Sequence, residues 1–238
     1  YSGIKRASHL IAVSEYTKRG ITEVYGISPD KITVVYNGVS SVFHPIEGFR
    51  TTIGYKTLQQ ELKLLAGAKV VLYVGSDHPR KNLATALRAF SELRHSHPEV
   101  IFLKVGEAGI AAGRAETLRV VDELGLRDSV RLVGAVSFER LNELYNLASA
   151  LIFPSRFEGF GLPPLQAMAA GVPVVAAGST SILEVVGEAG LLHSPDDVHG
   201  FATSLQRVLE DKNLVNDLRQ RGIERARLFS WEAAAEQT

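Results

Sequence analysis

An α/β fold built on a doubly wound parallel sheet is what this sequence predicts, and three observations predict it. Short apolar runs of strand length alternate with amphipathic stretches of helical period along most of the chain. Turns rich in glycine, proline and asparagine separate them. Hydrophobic residues make up 45% of the 238 positions, enough to fill a substantial core and to argue against disorder.

The elements follow in chain order. His9 to Val13 is the first strand run, and Ser14 at its end is placed to cap a helix running through Tyr25. Lys31 to Tyr36 is the second run. Asn37-Gly38-Val39-Ser40-Ser41-Val42-Phe43-His44-Pro45 is loop chemistry and puts a boundary near residues 37–49. Strand runs then fall at Val70 to Val74, Val100 to Val105, Val130 to Val133, Ala150 to Phe153 and Pro173 to Ala176, with Gly190 to His193 as a further candidate. Helical period marks Asn82 to Leu93, Glu116 to Leu124, Phe138 to Leu147, Leu165 to Ala170, Val198 to Leu209 and Leu214 to Phe229. Ser137 with Arg140 makes half a capping box, since the third helical position lacks Glu or Gln. Trp231 onward reads as a helix without a stop signal. The chain shows no internal repeat and no low-complexity tract.

Composition excludes several function classes. Lys plus Arg is 26 and Asp plus Glu is 26, so nothing signals a nucleic-acid partner. Cysteine is absent, which removes disulfides and thiolate metal sites and fits a reducing, cytoplasmic setting. No apolar run approaches the ~20 residues that span a bilayer, no signal peptide is visible, and membrane association is not indicated. The one methionine is Met168, so the chain is expected to be a piece of a longer protein.

Chemistry concentrates at two strand ends. After Ala150 to Phe153 comes Pro154-Ser155-Arg156-Phe157-Glu158-Gly159-Phe160-Gly161-Leu162-Pro163-Pro164, a turn carrying one acid. Gly159 and Gly161 let the backbone adopt positive φ and let a ligand approach closely. Pro163 and Pro164 suit a helix's first turn, whose free N–H groups favour an anion or electron-rich hydroxyls. A plain turn with a solvated glutamate fits the same residues. After Val70 to Val74 comes Gly75-Ser76-Asp77-His78-Pro79-Arg80-Lys81-Asn82. Two cations beside a helix start make a diphosphate site; a solvated basic turn is the alternative. This is no Walker A loop, because the Gly-Lys-Ser/Thr ending is missing. Glycine turns also follow the next two strands, at Gly106-Glu107-Ala108-Gly109 and at Val133-Gly134. The seven histidines are scattered, Asp-x-Asp spacing is absent, and no metal site is expected. His78, beside the basic turn, is the histidine that a ligand could reach.

The run Glu-Gly-Phe-Gly-Leu-Pro-Pro-Leu-x-Ala-Met-Ala, with Pro-Ser before it and Gly-x-Pro-Val-Val after it, resembles the signature of the retaining GT-B glycosyltransferases of family 4, the glycosyl transferases group 1. Val74-Gly75 with Pro79-Arg80-Lys81-Asn82 is similar to the family's donor-phosphate turn. The resemblance implies residues 1–48 as the end of an N-terminal acceptor domain and its linker. It implies residues 49–228 as a Rossmann-like nucleotide-sugar-binding domain, the C-terminal half of a GT-B fold. Residues 229–238 then start the helix that crosses back.

Transfer of a hexose with retention is implied, as in polysaccharide biosynthesis, from a nucleotide-diphosphate sugar to an acceptor hydroxyl. GDP-mannose is the first donor expected. The acceptor, a glycan or lipid-linked glycan, would be held by the largely missing N-terminal domain. The 238-residue piece is expected to bind a nucleoside diphosphate and to transfer sugar poorly or not at all alone. Glu158 matches the first glutamate of the family's Glu-x7-Glu and is implied as the catalytic residue that holds the sugar. Gln166 stands in place of the second glutamate. Substrate binding is implied for Gly75, Ser76, Arg80, Lys81, Gly106, Val133, Gly159, Phe160, Gly161, Leu162 and Gln166. No cofactor and no metal is expected. Ser76 stands where other members carry arginine, and Leu183 where proline is usual. Two other readings remain: a non-catalytic nucleotide-sugar binding module, and a GT-B-fold sugar-nucleotide epimerase.

Overall fold

A computed structural model describes residues 2–109 and 111–238. After a short helix, α1 (Ser2–Arg6), the strands β1 (Leu10–Ala12) and β2 (Ile32–Val34) pair in parallel around α2 (Glu15–Tyr25). The Ser14 side chain accepts from the Thr17 amide and opens α2, and Gly26 closes it in the left-handed conformation.

The main body follows as α3 (Ile53–Glu61), β3 (Val70–Val74), α4 (Leu83–Leu93), β4 (Ile101–Val105), α5 (Ala111–Glu123), β5 (Val130–Val133), α6 (Phe138–Leu147), β6 (Ala150–Phe153), α7 (Leu162–Ala169), β7 (Val174–Ala177), α8 (Ile182–Val186), β8 (Leu191–His193), α9 (Val198–Glu210), α10 (Lys212–Ala226) and α11 (Trp231–Glu236). Its six strands are all parallel, in the order β5-β4-β3-β6-β7-β8. The chain winds outward from β3 through β4 to β5, returns to β6, then winds outward the other way. The order therefore reverses between β3 and β6. A crevice opens at the carboxyl ends of such a pair of strands, because the helices that follow them leave on opposite faces.

Both faces of the sheet are covered, which is why its strands are apolar runs rather than alternating ones. One layer packs Leu58, Leu144, Leu165 and Val185 on Leu72, Leu151 and Val174. The other packs Leu87, Phe90, Val120 and Phe201 on Val71, Phe102 and Val175. The linker after β2 is held to the body by an aromatic group, with Tyr36, Phe160 and Phe229 rings 5.7 to 6.1 Å apart.

All eight strand runs lie where the sequence puts them, to within about two residues at the ends, the usual scatter of such boundaries. The helices differ more. Leu165 to Ala170 is too late a start: α7 begins at Leu162, because its two prolines occupy the second and third helical positions, where no N–H is needed. Helix α5 starts at Ala111 rather than Glu116, and α10 spans Lys212–Ala226 rather than Leu214 to Phe229. Asp211, whose side chain accepts from Asn213 and Leu214, fixes that earlier start. Helix α3 has no counterpart among the helices the sequence predicts. The Thr52 hydroxyl caps it, and only Tyr55 and Leu58 are buried, so its apolar period is short.

Candidate functional site

The turn after β3 is built by residues other than its two cations. The His78 ring accepts from the Arg80 amide and opens a single 3-10 turn, Pro79–Lys81. Asn82 then takes a left-handed conformation, φ +56°, which asparagine tolerates better than most residues. Its buried amide donates to the Pro154 carbonyl at 3.1 Å and the Pro195 carbonyl at 2.7 Å. The Arg80 carbonyl accepts from the Arg156 amide at 2.9 Å, and the Lys81 carbonyl from the Tyr73 hydroxyl at 3.1 Å. These bonds lay the basic turn along the acidic turn that follows β6.

Glu158 lies where the two turns meet. One carboxylate oxygen is 2.6 Å from Lys81 Nζ and 2.7 Å from the buried Ser155 hydroxyl; the other is 3.2 Å from Arg80 Nη1. Its side chain is 9% exposed and that of Lys81 is 13%, whereas Arg80 is 44% exposed. Lys81 also sits 5.5 Å from the centre of the Phe153 ring. Arg80 reaches the site despite its exposure, through bonds to both Glu158 and the Phe157 carbonyl.

The backbone of the acidic turn is held just as closely. The Glu158 amide donates to Thr180 Oγ1 at 3.2 Å, and the buried Ser181 hydroxyl contacts the carbonyls of Glu158 and Phe160, both at 2.9 Å. The Gly159 carbonyl accepts from Ser14 Oγ at 2.8 Å. Gly161 has φ +109°, and a Cβ there would fall 2.4 Å from the Ile182 side chain, so the α7 start requires glycine.

The remaining predicted residues divide. Gly75 and Gly106 interlock at neighbouring strand ends: the Gly75 amide donates to Val105, and the Gly106 amide to Val133. This brings Gly75, Ser76, Gly106 and Val133 to one edge of the crevice. Leu162 is partly exposed at the α7 start. Phe160 is 5% exposed and its ring packs on Tyr36 and Phe229, while its carbonyl accepts from Ser181, so its side chain belongs to the core rather than to an open surface. Gln166 is half-buried, and its Oε1 lies 3.1 Å from the hydroxyl of the buried Tyr145. His97 contacts Glu99 and Glu210 rather than His95. Among the described residues, no group of three His, Cys, Asp or Glu side chains could hold a metal ion. Among them too, no helix is long and apolar enough to cross a membrane.

Several residues of the site lie outside the set the sequence predicts. Ser155 is one, and Asn82 is another in its role as a strut. The third group lies beneath the basic turn: Asp77 pairs with Lys104 at 2.6 Å and Arg114 at 2.7 Å. Lys104 Nζ also donates to the carbonyls of Gly106 and Glu107. Burial pushes the Lys104 ammonium below its usual pKa, with the Asp77 contact opposing that shift. A lysine in the middle of the apolar run Ile101-Phe102-Leu103-Lys104-Val105 was the available signal.

Comparison with known proteins gives the family and the fold. The family model described as "Glycosyl transferases group 1" matches residues 55–227, and that of "Glycosyltransferase Family 4" matches residues 1–42. O-antigen chain mannosyltransferase B from Escherichia coli is 32% identical, over 100% of this chain and 61% of its own length. D-inositol 3-phosphate glycosyltransferase from Nocardioides sp. is 33% identical, over 99% of this chain and 53% of its own. The chain thus spans little more than half the length of these two curated relatives. Sucrose-phosphate synthase from Thermosynechococcus elongatus superimposes with a TM-score of 0.82 at 29% identity, covering 99% of this chain and 58% of that one. Anabaena HepE in complex with UDP and glucose superimposes with a TM-score of 0.87 at 21% identity, covering 98% and 62%. The second likeness is one of GT-B fold.

Proposed function

Since this chain belongs to the glycosyl transferases group 1 family, we propose that it carries the donor-binding half of a retaining hexosyltransferase that uses a nucleotide-diphosphate sugar. The observation that carries the reading is Glu158 held against Lys81 and Arg80 at the strand reversal between β3 and β6.

In this reading the diphosphate lies over the basic turn, between Lys81, Arg80 and the start of α7. Charge grows on the leaving diphosphate as the glycosidic bond breaks, and fixed cations offset it without reorganising. Glu158 accepts hydrogen bonds from sugar hydroxyls and so orients the anomeric carbon. Before donor arrives, the same carboxylate neutralises the two cations. Donor phosphate replaces it as their partner, and Glu158 is released toward the sugar. The reading assigns no step to a metal. Gln166 meets the ribose with its amide NH2, its carbonyl oxygen accepting from the Tyr145 hydroxyl, and so without the charge-assisted bonds of a carboxylate.

GDP-mannose is the donor proposed, supported by the mannosyltransferases among the relatives. The acceptor would be a growing glycan held by the N-terminal part, and the setting cytoplasmic, in keeping with the absence of cysteine.

Thermal unfolding with GDP, UDP, ADP and TDP tests the reading. A ligand at about 100 times its Kd stabilises the folded chain by about 2.7 kcal/mol. Stabilisation by one of the four, lost in Lys81→Ala, is expected. If none of them shifts the midpoint, the nucleotide-binding reading fails.

A further inference from the structure

We infer that Glu184 is a positioning residue for the acidic turn, and that it acts through the N-terminal unit rather than by touching the turn itself. Its carboxylate lies across the start of α2. The Glu15 amide donates to one oxygen at 2.8 Å and the Tyr16 amide to the other at 2.7 Å. The Tyr36 hydroxyl adds a third bond at 3.2 Å, and burial together with the Glu184 charge raises the Tyr36 pKa. The first amides of a helix have no partner within it, and they carry the positive end of the helix dipole. A carboxylate taking two of them at once fixes both the position and the direction of α2.

The other side of α2's first turn grips the acidic turn. Ser14 is fully buried and its hydroxyl is 2.8 Å from the Gly159 carbonyl, with the Thr17 hydroxyl 3.3 Å from the same oxygen. The Tyr16 ring meets the Phe157 ring edge-on at 5.6 Å. Glu158 lies between Phe157 and Gly159, so both of its chain neighbours are held by α2.

One short segment therefore controls the turn from two directions. Thr180 and Ser181 bind its backbone directly, at Glu158 N and at the carbonyls of Glu158 and Phe160. Three residues on, Glu184 places the helix that binds the remaining carbonyl, Gly159. Without Glu184 the second grip depends on the seating of β1, β2 and α2 alone. One of the two backbone grips on the turn that carries Glu158 is then kept only while the N-terminal unit is seated on the body.

The test needs no ligand, so its failure and the failure of the sugar-transfer reading are separate outcomes. Residue-resolved amide hydrogen exchange is measured for Glu158, Glu15, Tyr16 and, as a control in β6, Leu151. Glu184→Ala is expected to speed exchange at Glu158 about tenfold, or about 1.4 kcal/mol, a part of the bonding lost at Glu15 and Tyr16. Leu151 should be unchanged. The pair Ser14→Ala with Thr17→Val should give the same effect at Glu158, and adding Glu184→Ala to that pair should give no more. Faster exchange at Glu15 and Tyr16 with Glu158 unchanged would make Glu184 a cap of α2 only and overturn the inference. Effects that multiply in the combined variant would also overturn it. Should Glu184→Ala speed Leu151 as well, Glu184→Gln decides. It keeps one acceptor and is expected to speed Glu158 by less; a wild-type rate at Glu158 with Glu15 accelerated refutes the coupling.

Discussion

Glu158→Gln separates what the acid does for stability from what it does to the cations. The substitution keeps the shape and an oxygen that can accept from Ser155, but removes the charge. Lys81 then loses charge assistance on a 2.6 Å bond where both side chains are nearly buried, at 9% and 13% exposure. Hydrogen bonds to charged groups contribute about 1.5–3 kcal/mol and neutral ones about 1, so this change costs about 1–2 kcal/mol. The Arg80 bond is longer, at 3.2 Å, and Arg80 is 44% exposed, so solvent screening leaves it little to add. For a chain of this size the loss lowers Tm by about 2–8 °C. Affinity for a diphosphate moves the other way. In the wild-type chain, phosphate must displace Glu158 from its two cations; in the variant it need not, and the local charge is one unit more positive. Inorganic pyrophosphate is expected to bind about tenfold tighter, equivalent to about 1.4 kcal/mol. Differential scanning fluorimetry gives the first quantity and isothermal titration calorimetry the second. An unchanged Tm, or pyrophosphate binding that is unchanged or weaker, refutes the reasoning.

Other predictions follow from the same geometry. Asp77→Asn leaves Lys104 as a fully buried cation short of its main partner and should cost about 3–5 kcal/mol in urea unfolding; a loss below about 1 kcal/mol contradicts the buried pair. Gly113→Ala would put a Cβ 2.1 Å from the Asp77 carbonyl, where backbone must move on both sides, and should destabilise by about 1–3 kcal/mol in the same assay. Burial holds the pKa values of Tyr73 and Tyr145 well above the usual tyrosine value. Their contribution is complete below about pH 10 and is lost as the unfolded chain ionises above it, at up to about 2.7 kcal/mol per pH unit for the pair. Lys104, whose pKa is depressed, has the opposite sign, so its contribution rises with pH and is complete only above about pH 10.4. Alkaline melts should therefore fall steeply above about pH 10.4, and Tyr73→Phe should make the fall shallower. Gln166→Glu should tighten nucleotide binding in a calorimetric titration; no change in affinity would remove Gln166 from the ribose.

Strands were legible because a sheet covered on both faces leaves little choice of residue. Val70 to Val74 and Ala150 to Phe153 are apolar at every position, and each lies where it reads. Helix starts were less legible. Leu162 opens α7 through two prolines that look like loop residues until their missing N–H groups are placed in the first turn. Helix α3 buries only Tyr55 and Leu58, too few contacts to impose a period. In the site, Glu158, Lys81 and Arg80 were readable from residue type and position after a strand. Ser155, Lys104 and Glu184 were not: Lys104 acts on Asp77 and Glu184 on Glu15 across 169 positions, and Ser155 meets Glu158 three residues on only because of the way the turn folds.

By itself the sequence determined the alternation of strand and helix, the two turns that carry charge, and the family they resemble. The first two follow from local chemistry, namely apolar runs, turn residues and the position of a charged group after a strand, and the family is a resemblance carried by the motifs in those turns. It gave no sign that the acid and the cations assigned to different parts of a ligand touch one another. The strand order decided that, by placing β6 beside β3 and so bringing Glu158 within 2.6 Å of Lys81 from 77 positions away. Pairing among parallel strands is set by how whole layers bury their faces, a sum over the chain that no single segment carries.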